Sequence, residues 1–158
     1  MSEHFVITAD HGHLRIFQQR EAPEQSTAAL DEIQAEDFPA GLRGYVQRDT
    51  DMAGRFQSSA HQGRGPGAPT ARQGMSVDER LPMQREEERR QLRDLAAGIE
   101  QFLSQHPTAT WDFAAGPEIH HAVLEALSPA VRGRLGKTVT KDLVHQPAAD
   151  LIGHFAGR

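Results

Sequence analysis

Three places in this chain of 158 residues carry side chains whose types and spacing suit chemistry. The first is Asp10-His11-Gly12-His13, a short run with two imidazoles and a carboxylate. Such a run can offer metal ligands, although turn histidines are more commonly just solvated. The second is residues 53–74, AGRFQSSAHQGRGPGAPTARQG, which contain Arg55, Arg64 and Arg72 and no acid. Guanidinium groups on a glycine-rich segment reach phosphate oxygens without a preformed pocket. A solvated linker that merely tolerates arginine is the plainer reading. The third is Lys141, Asp142 and His145, just ahead of Pro147. Asp142 is placed to orient His145, or to pair with Lys141 or Arg15. A strand-end salt bridge with a helix-start cap is the alternative.

Other chemistry lacks its motif. A dinucleotide fingerprint needs G-x-G-x-x-G between a strand and a helix, and a Walker loop needs G-K-[ST]; neither is present. No G-x-S-x-G marks a nucleophile, and no H-E-x-x-H marks a zinc helix. His120 and His121 are adjacent on a helix pattern and point in different directions. The chain has no cysteine, so disulfides and thiolate metal sites are excluded. No cofactor and no metal is expected.

These residues must be positioned by a core drawn from the two ends of the chain. Phe5, Val6 and Ile7 predict a strand covered on both faces. Asp10 to His13 supplies turn chemistry, and Leu14, Ile16 and Phe17 resume the strand, giving a hairpin. Leu30 and Ile33 mark a weaker strand over about 27–35. Periodicity then fades across residues 37–84, which read as one long loop. Ser76 to Glu79 reads as a capping box. From Arg85 an amphipathic helix carries Leu92, Leu95, Ala96, Ile99, Phe102 and Leu103 on one stripe, until Pro107. Trp111, Phe113 and Ala115 predict a strand. Pro117 and Ser128-Pro129 open helices, residues 137–144 read as a last strand, and Pro147 opens a terminal helix.

The order β-β-β, loop, α, β, α, β, α predicts a single α/β domain over 1–158. It is a three-layer sandwich with a mixed sheet of about five strands. Apolar residues make up 37% and the formal net charge is −5. A field of that sign does not attract nucleic acid, so any RNA contact needs a local basic patch. No apolar run spans a bilayer, and the start of the chain turns polar too soon for a signal peptide. A cytoplasmic protein without a membrane partner is expected.

Four blocks in order resemble one family. VITADHGHLRIF (6–17) is similar to the opening V-x-A-D-x-x-x-A-R-I-F of the bacterial host attachment family. MAGRFQSSAHQGRG (52–65) resembles its P-G-R-S-F-D-S-x-G-x-G-R-H loop. ALSPAVR (126–132) and TKDLVHQPAADL (140–151) resemble A-L-S-P-x-V-R and D-K-D-L-T-H-L-P-x-x-E-I. Arg15, Arg55, Lys141, Asp142 and His145 match the pattern, whereas Leu14 and Thr140 depart from it.

The resemblance implies a relationship to the middle domain of archaeo-eukaryotic peptide release factors. In that domain a loop carrying Gly-Gly-Gln enters the ribosome and assists hydrolysis of peptidyl-tRNA. Here the Gly-Gly-Gln string is absent; Gln62 and Gln73 are the nearest glutamines, and each precedes a glycine. Three functions follow as expectations. The first is an accessory protein touching the ribosome or other RNA through Arg55, Arg64 and Arg72. The second is a hydrolase of peptidyl-tRNA or a related ester that uses Gln62 or Gln73. The third is a protein-interaction module in attachment or stress. Asp10, Arg15, Lys141, Asp142 and His145 would form a polar cluster at one edge of the sheet.

Overall fold

The computed structural model describes residues 2–21, 28–38 and 77–156. Strands β1 (His4–Ala9), β2 (His13–Arg20) and β3 (Ala29–Asp37) are followed by helix α1 (Val77–Ser104) and strand β4 (Thr110–Ala115). Helices α2 (Pro117–Ala126) and α3 (Pro129–Arg132), strand β5 (Leu135–Val139) and helix α4 (Ala148–Ala156) follow among the described residues. The sheet order is β3-β2-β1-β4-β5. β1 pairs antiparallel with β2, and β2 with β3; β4 pairs parallel with β1 and with β5. The expected mixed sheet of five strands is therefore present.

Both faces of the sheet are covered because the central strands alternate between two apolar clusters. Phe5, Ile7, Trp111 and Phe113 pack with Leu95, Ile99 and Leu103 of α1 and Ile119 and Val123 of α2. Val6, Phe17, Leu30 and Ala114 face the other way, onto Leu151 and Phe155 of α4 and onto Leu143. Each large side chain removed from water in these clusters contributes about 1.5–3 kcal/mol. Trp111 is fully buried, and its indole N–H donates to the Val131 carbonyl at 2.9 Å, tying α3 to β4.

Three elements differ in extent from the sequence expectation. β3 ends at Asp37 instead of about 35, because its last residues pair with His13 to Arg15 of β2. Its apolar anchor Ile33 is 45% exposed, so its apolar character marks no core position there. α1 begins at Val77, eight residues before Arg85, so 77–84 of the expected loop are helical. Pro82 lies in the second turn, where it forfeits only the backbone bond to residue 78. β5 covers 135–139 and not 137–144. Leu143 and Val144 are buried, but in a turn that leaves the ladder.

α1 ends at Ser104, three residues before the expected stop at Pro107. Arg134 collects the carbonyls that the helix end and the following turn leave over, at Leu103, His106 and Ala109, over 3.2, 2.7 and 3.0 Å. A cation suits that end of a helix, where the dipole is negative. Ser128 caps α3 by accepting the Val131 N–H, and its own hydroxyl and N–H both donate to Glu100 of α1.

Candidate functional site

The parallel strands β1, β4 and β5 end side by side, and the chain leaves them at Asp10, Gly116 and Thr140. A crevice past the carboxyl ends of parallel strands is where open α/β sheets gather ligands. Asp10 organises its floor. Its Oδ1 accepts the backbone N–H groups of Gly12 at 2.8 Å and His13 at 2.7 Å, an Asx turn that closes the hairpin. That turn brings the His13 ring back onto the same carboxylate, with Nδ1 3.0 Å from Oδ1 and 3.1 Å from Oδ2. His13 Nε2 stands 3.7 Å from Asp37 on β3.

The other wall comes from the segment after β5. Arg15, on β2, donates to the carbonyls of Val144 at 2.6 Å and Gln146 at 3.0 Å. Its guanidinium also pairs with Glu32 of β3 and lies 4.8 Å over the Phe17 ring. Asp142 accepts the Val144 N–H at 3.2 Å. The chain between these anchors presents His145, whose Nε2 is 3.6 Å from Asp10 Oδ2. The two imidazoles meet edge to face, centroids 5.2 Å apart. Asp10 and His13 are largely covered, while His145 is 74% exposed at the mouth. Thr8, the β1 partner of Arg15, is buried, and its hydroxyl finds no hydrogen-bond partner among the described residues.

Of the five residues expected as a polar cluster, the structure thus brings Asp10, Arg15 and His145 together. Asp142 shapes the turn that holds His145, and Lys141 is exposed beside it. These last residues follow β5; they do not close it. His13 and Glu32 belong to the cluster and were not expected in it. The Asp10-x-x-His13 spacing across a glycine was the signal for the first. Nothing short of the β2/β3 register gives the second. His11 turns away, 3.5 Å from the exposed Glu118. Arg55, Arg64, Arg72, Gln62, Gln73 and Ser76 lie outside the described residues.

Two features stand apart from this crevice. A groove of about 450 Å³ lies at the opposite ends of β1 and β4, between His4, Asp112 and Lys137 and the side chains Ile152 and Phe155 of α4. The nearly buried Asp112 accepts the Lys137 backbone N–H at 2.7 Å and meets His4 Nε2 at 3.1 Å. On α2, the His120 ring lies 5.4 Å from Phe113, and its Nε2 is buried without a partner among the described residues. Burial, with a smaller repulsion from His121, lowers the His120 pKa below its ordinary value.

No helix among the described residues is long and apolar enough to cross a membrane. No curated protein matches the chain. A family model described as "protein required for attachment to host cells" matches residues 5–155, from the first core residue of β1 to the last of α4. On that match the chain belongs to this host attachment family.

Proposed function

We propose that this family member acts in the cytoplasm as an accessory protein of the translation machinery, with residues 39–76 as its RNA-contacting arm. Arg55, Arg64 and Arg72 of that arm contact phosphates, and the Asp10–His13–Arg15–His145 crevice lies at its root.

One observation carries this reading. The Phe38 N–H donates to the Gly12 carbonyl at 2.7 Å, so the chain enters 39–76 from the rim of the crevice. It returns on the same side. α1 runs opposite to β1, with Phe102 against Phe5 and Gly98 beside Leu14 and Phe38. Val77 is 21 residues before Gly98 (98 − 77), about 30 Å of helix reaching past the carboxyl edge of the sheet. A segment that leaves the rim at Phe38 and rejoins the fold on a helix projecting past the same edge, with three arginines and no acid over 53–74, suits a polyanion on an otherwise acidic protein. The resemblance to release-factor middle domains points to the ribosome as that polyanion.

Co-sedimentation with ribosomes at two salt concentrations tests the reading, comparing the full chain with one lacking 56–74. Salt-sensitive binding that is lost with the arm supports it, and equal binding by both chains overturns it. Peptide release that disappears on changing Gln62 or Gln73 would replace it with the hydrolase. Capture of a partner despite nuclease treatment would replace it with a protein-interaction module.

A further inference from the structure

We infer that Asp10, His13 and His145 form a binding site for a first-row divalent metal ion of the zinc type. The inference comes from the crevice geometry alone and does not depend on RNA binding.

Both oxygens of Asp10 face the His13 ring, with Nδ1 3.0 Å from Oδ1 and 3.1 Å from Oδ2. Oδ1 is taken up by the backbone N–H groups of Gly12 and His13, at 2.8 and 2.7 Å. This fixes the plane of the carboxylate, with Oδ2 on the side of His145. Oδ2 lies 3.1 Å from His13 Nδ1 and 3.6 Å from His145 Nε2. One donor atom from each of the three side chains can be chosen so that all lie within 4.8 Å of one another. Ligand atoms bound to zinc at about 2.0–2.2 Å in tetrahedral geometry stand roughly 3.4 Å apart. The two spacings at Oδ2 straddle that value and the spacing between the imidazoles lies within 4.8 Å, so the exposed His145 ring must swing inward to complete the set.

The supporting groups are those that a metal site uses to hold its ligands. His145 sits on a segment whose flanking carbonyls, at Val144 and Gln146, are both held by Arg15. Asp142 fixes the Val144 N–H of the same segment. Outer contacts of this kind orient a ligand and reduce the freedom it loses on binding. A single Asp–His hydrogen bond would need only one imidazole, yet two converge on one carboxylate, His13 on both of its oxygens and His145 on Oδ2. Two neutral imidazoles and one carboxylate leave a net positive charge on a divalent ion. They also leave a coordination position open toward solvent on the exposed side of His145. That position suits water or an oxyanion such as a phosphate.

The test is calorimetric titration of the untagged, chelator-treated full chain with Zn²⁺ near neutral pH, with Co²⁺ as a spectroscopic reporter. We expect one equivalent of Zn²⁺ to bind and visible Co²⁺ bands typical of four-coordination. His13→Ala and His145→Ala should each weaken binding beyond the about ten- to hundredfold that loss of an outer contact costs. Asp10→Asn should do likewise while still accepting the backbone N–H groups through its amide oxygen; its unchanged melting curve would show an intact hairpin. His121→Ala, on the exposed side of α2, should bind as the parent does. A parent chain that takes up no stoichiometric Zn²⁺ would overturn the inference, as would a His13→Ala/His145→Ala double variant that binds like the parent. No arm of this test contains RNA, so its failure would leave the proposal for 39–76 standing.

Discussion

The Arg15 guanidinium donates to the carbonyl of Val144 at 2.6 Å, joining β2 to a segment 129 residues further along the chain. A second bond from the same nitrogen to Gln146 O makes Arg15 the clasp that holds His145 opposite Asp10. Arg15→Ala should remove about 1.5–3 kcal/mol of stability, the range for hydrogen bonds to a charged group. Urea unfolding measures this loss. Hydrogen exchange should rise at residues 143–146 before it rises in β4; uniform exchange would mean that the clasp is not local.

Gly136 stands where β5 passes the carboxylate of Asp112. A Cβ at this position would meet Asp112 Oδ1 at 2.6 Å. That oxygen cannot retreat freely, because it accepts the Lys137 N–H while Oδ2 meets His4. Gly136→Ala should therefore cost about 1–3 kcal/mol. Adding Asp112→Ala should recover part of that cost, because the clash loses its second partner. Strict additivity in the double variant would contradict the geometry.

How much of this was legible beforehand can be judged from single residues. Phe5 to Ile7 were legible as a strand covered on both faces from an unbroken apolar run, and Trp111, Phe113 and Ala115 from their alternation with Asp112 and Ala114. Leu143 and Val144 misled for the same reason. They are buried, but their backbone is held by Arg15 and Asp142 instead of a neighbouring strand, and composition does not distinguish the two. Ile33 marked its strand correctly while standing half in solvent at the sheet edge, so its apolar type signalled strand and not core. Asp10, Arg15 and His145 were marked by type and by resemblance. Their meeting depends on β1 lying between β2 and β4, which is a property of the sheet order and not of any local window.

His120 supplies a dependence on pH. Burial, then the neighbouring His121, lowers its pKa in the folded chain, so the unfolded chain binds its proton more readily. Stability from this group is fully present above the unfolded value of 6.5. It is lost as pH falls through that value toward the lower folded one. His120→Phe keeps a ring against Phe113 and removes the proton site. The difference in urea midpoint between variant and parent should widen from about pH 8 to pH 5. A constant difference would show that His120 is not the titrating group.

The three arginines of 53–74 should act as phosphate contacts, not as readers of sequence. Replacing any one by alanine should lower ribosome or RNA affinity and reduce the slope of log K against log salt by about one unit. The loss should be similar across unrelated RNA sequences. Filter binding over a salt series checks both; a variant with reduced affinity but unchanged slope would point to a non-ionic role.

The parallel seam between β1 and β4 joins His4 to Thr110 and Ala9 to Ala115. Forming it closes a span of 100 residues, 10–109, of which 39–76 account for 38. Chain-closure entropy rises only with the logarithm of length, so shortening that span from 100 residues to 62 changes it by about 0.4 kcal/mol. The architecture is thus nearly indifferent to how long its insertion is. Selection can lengthen, trim or rewrite that stretch while the rest of the molecule folds as before.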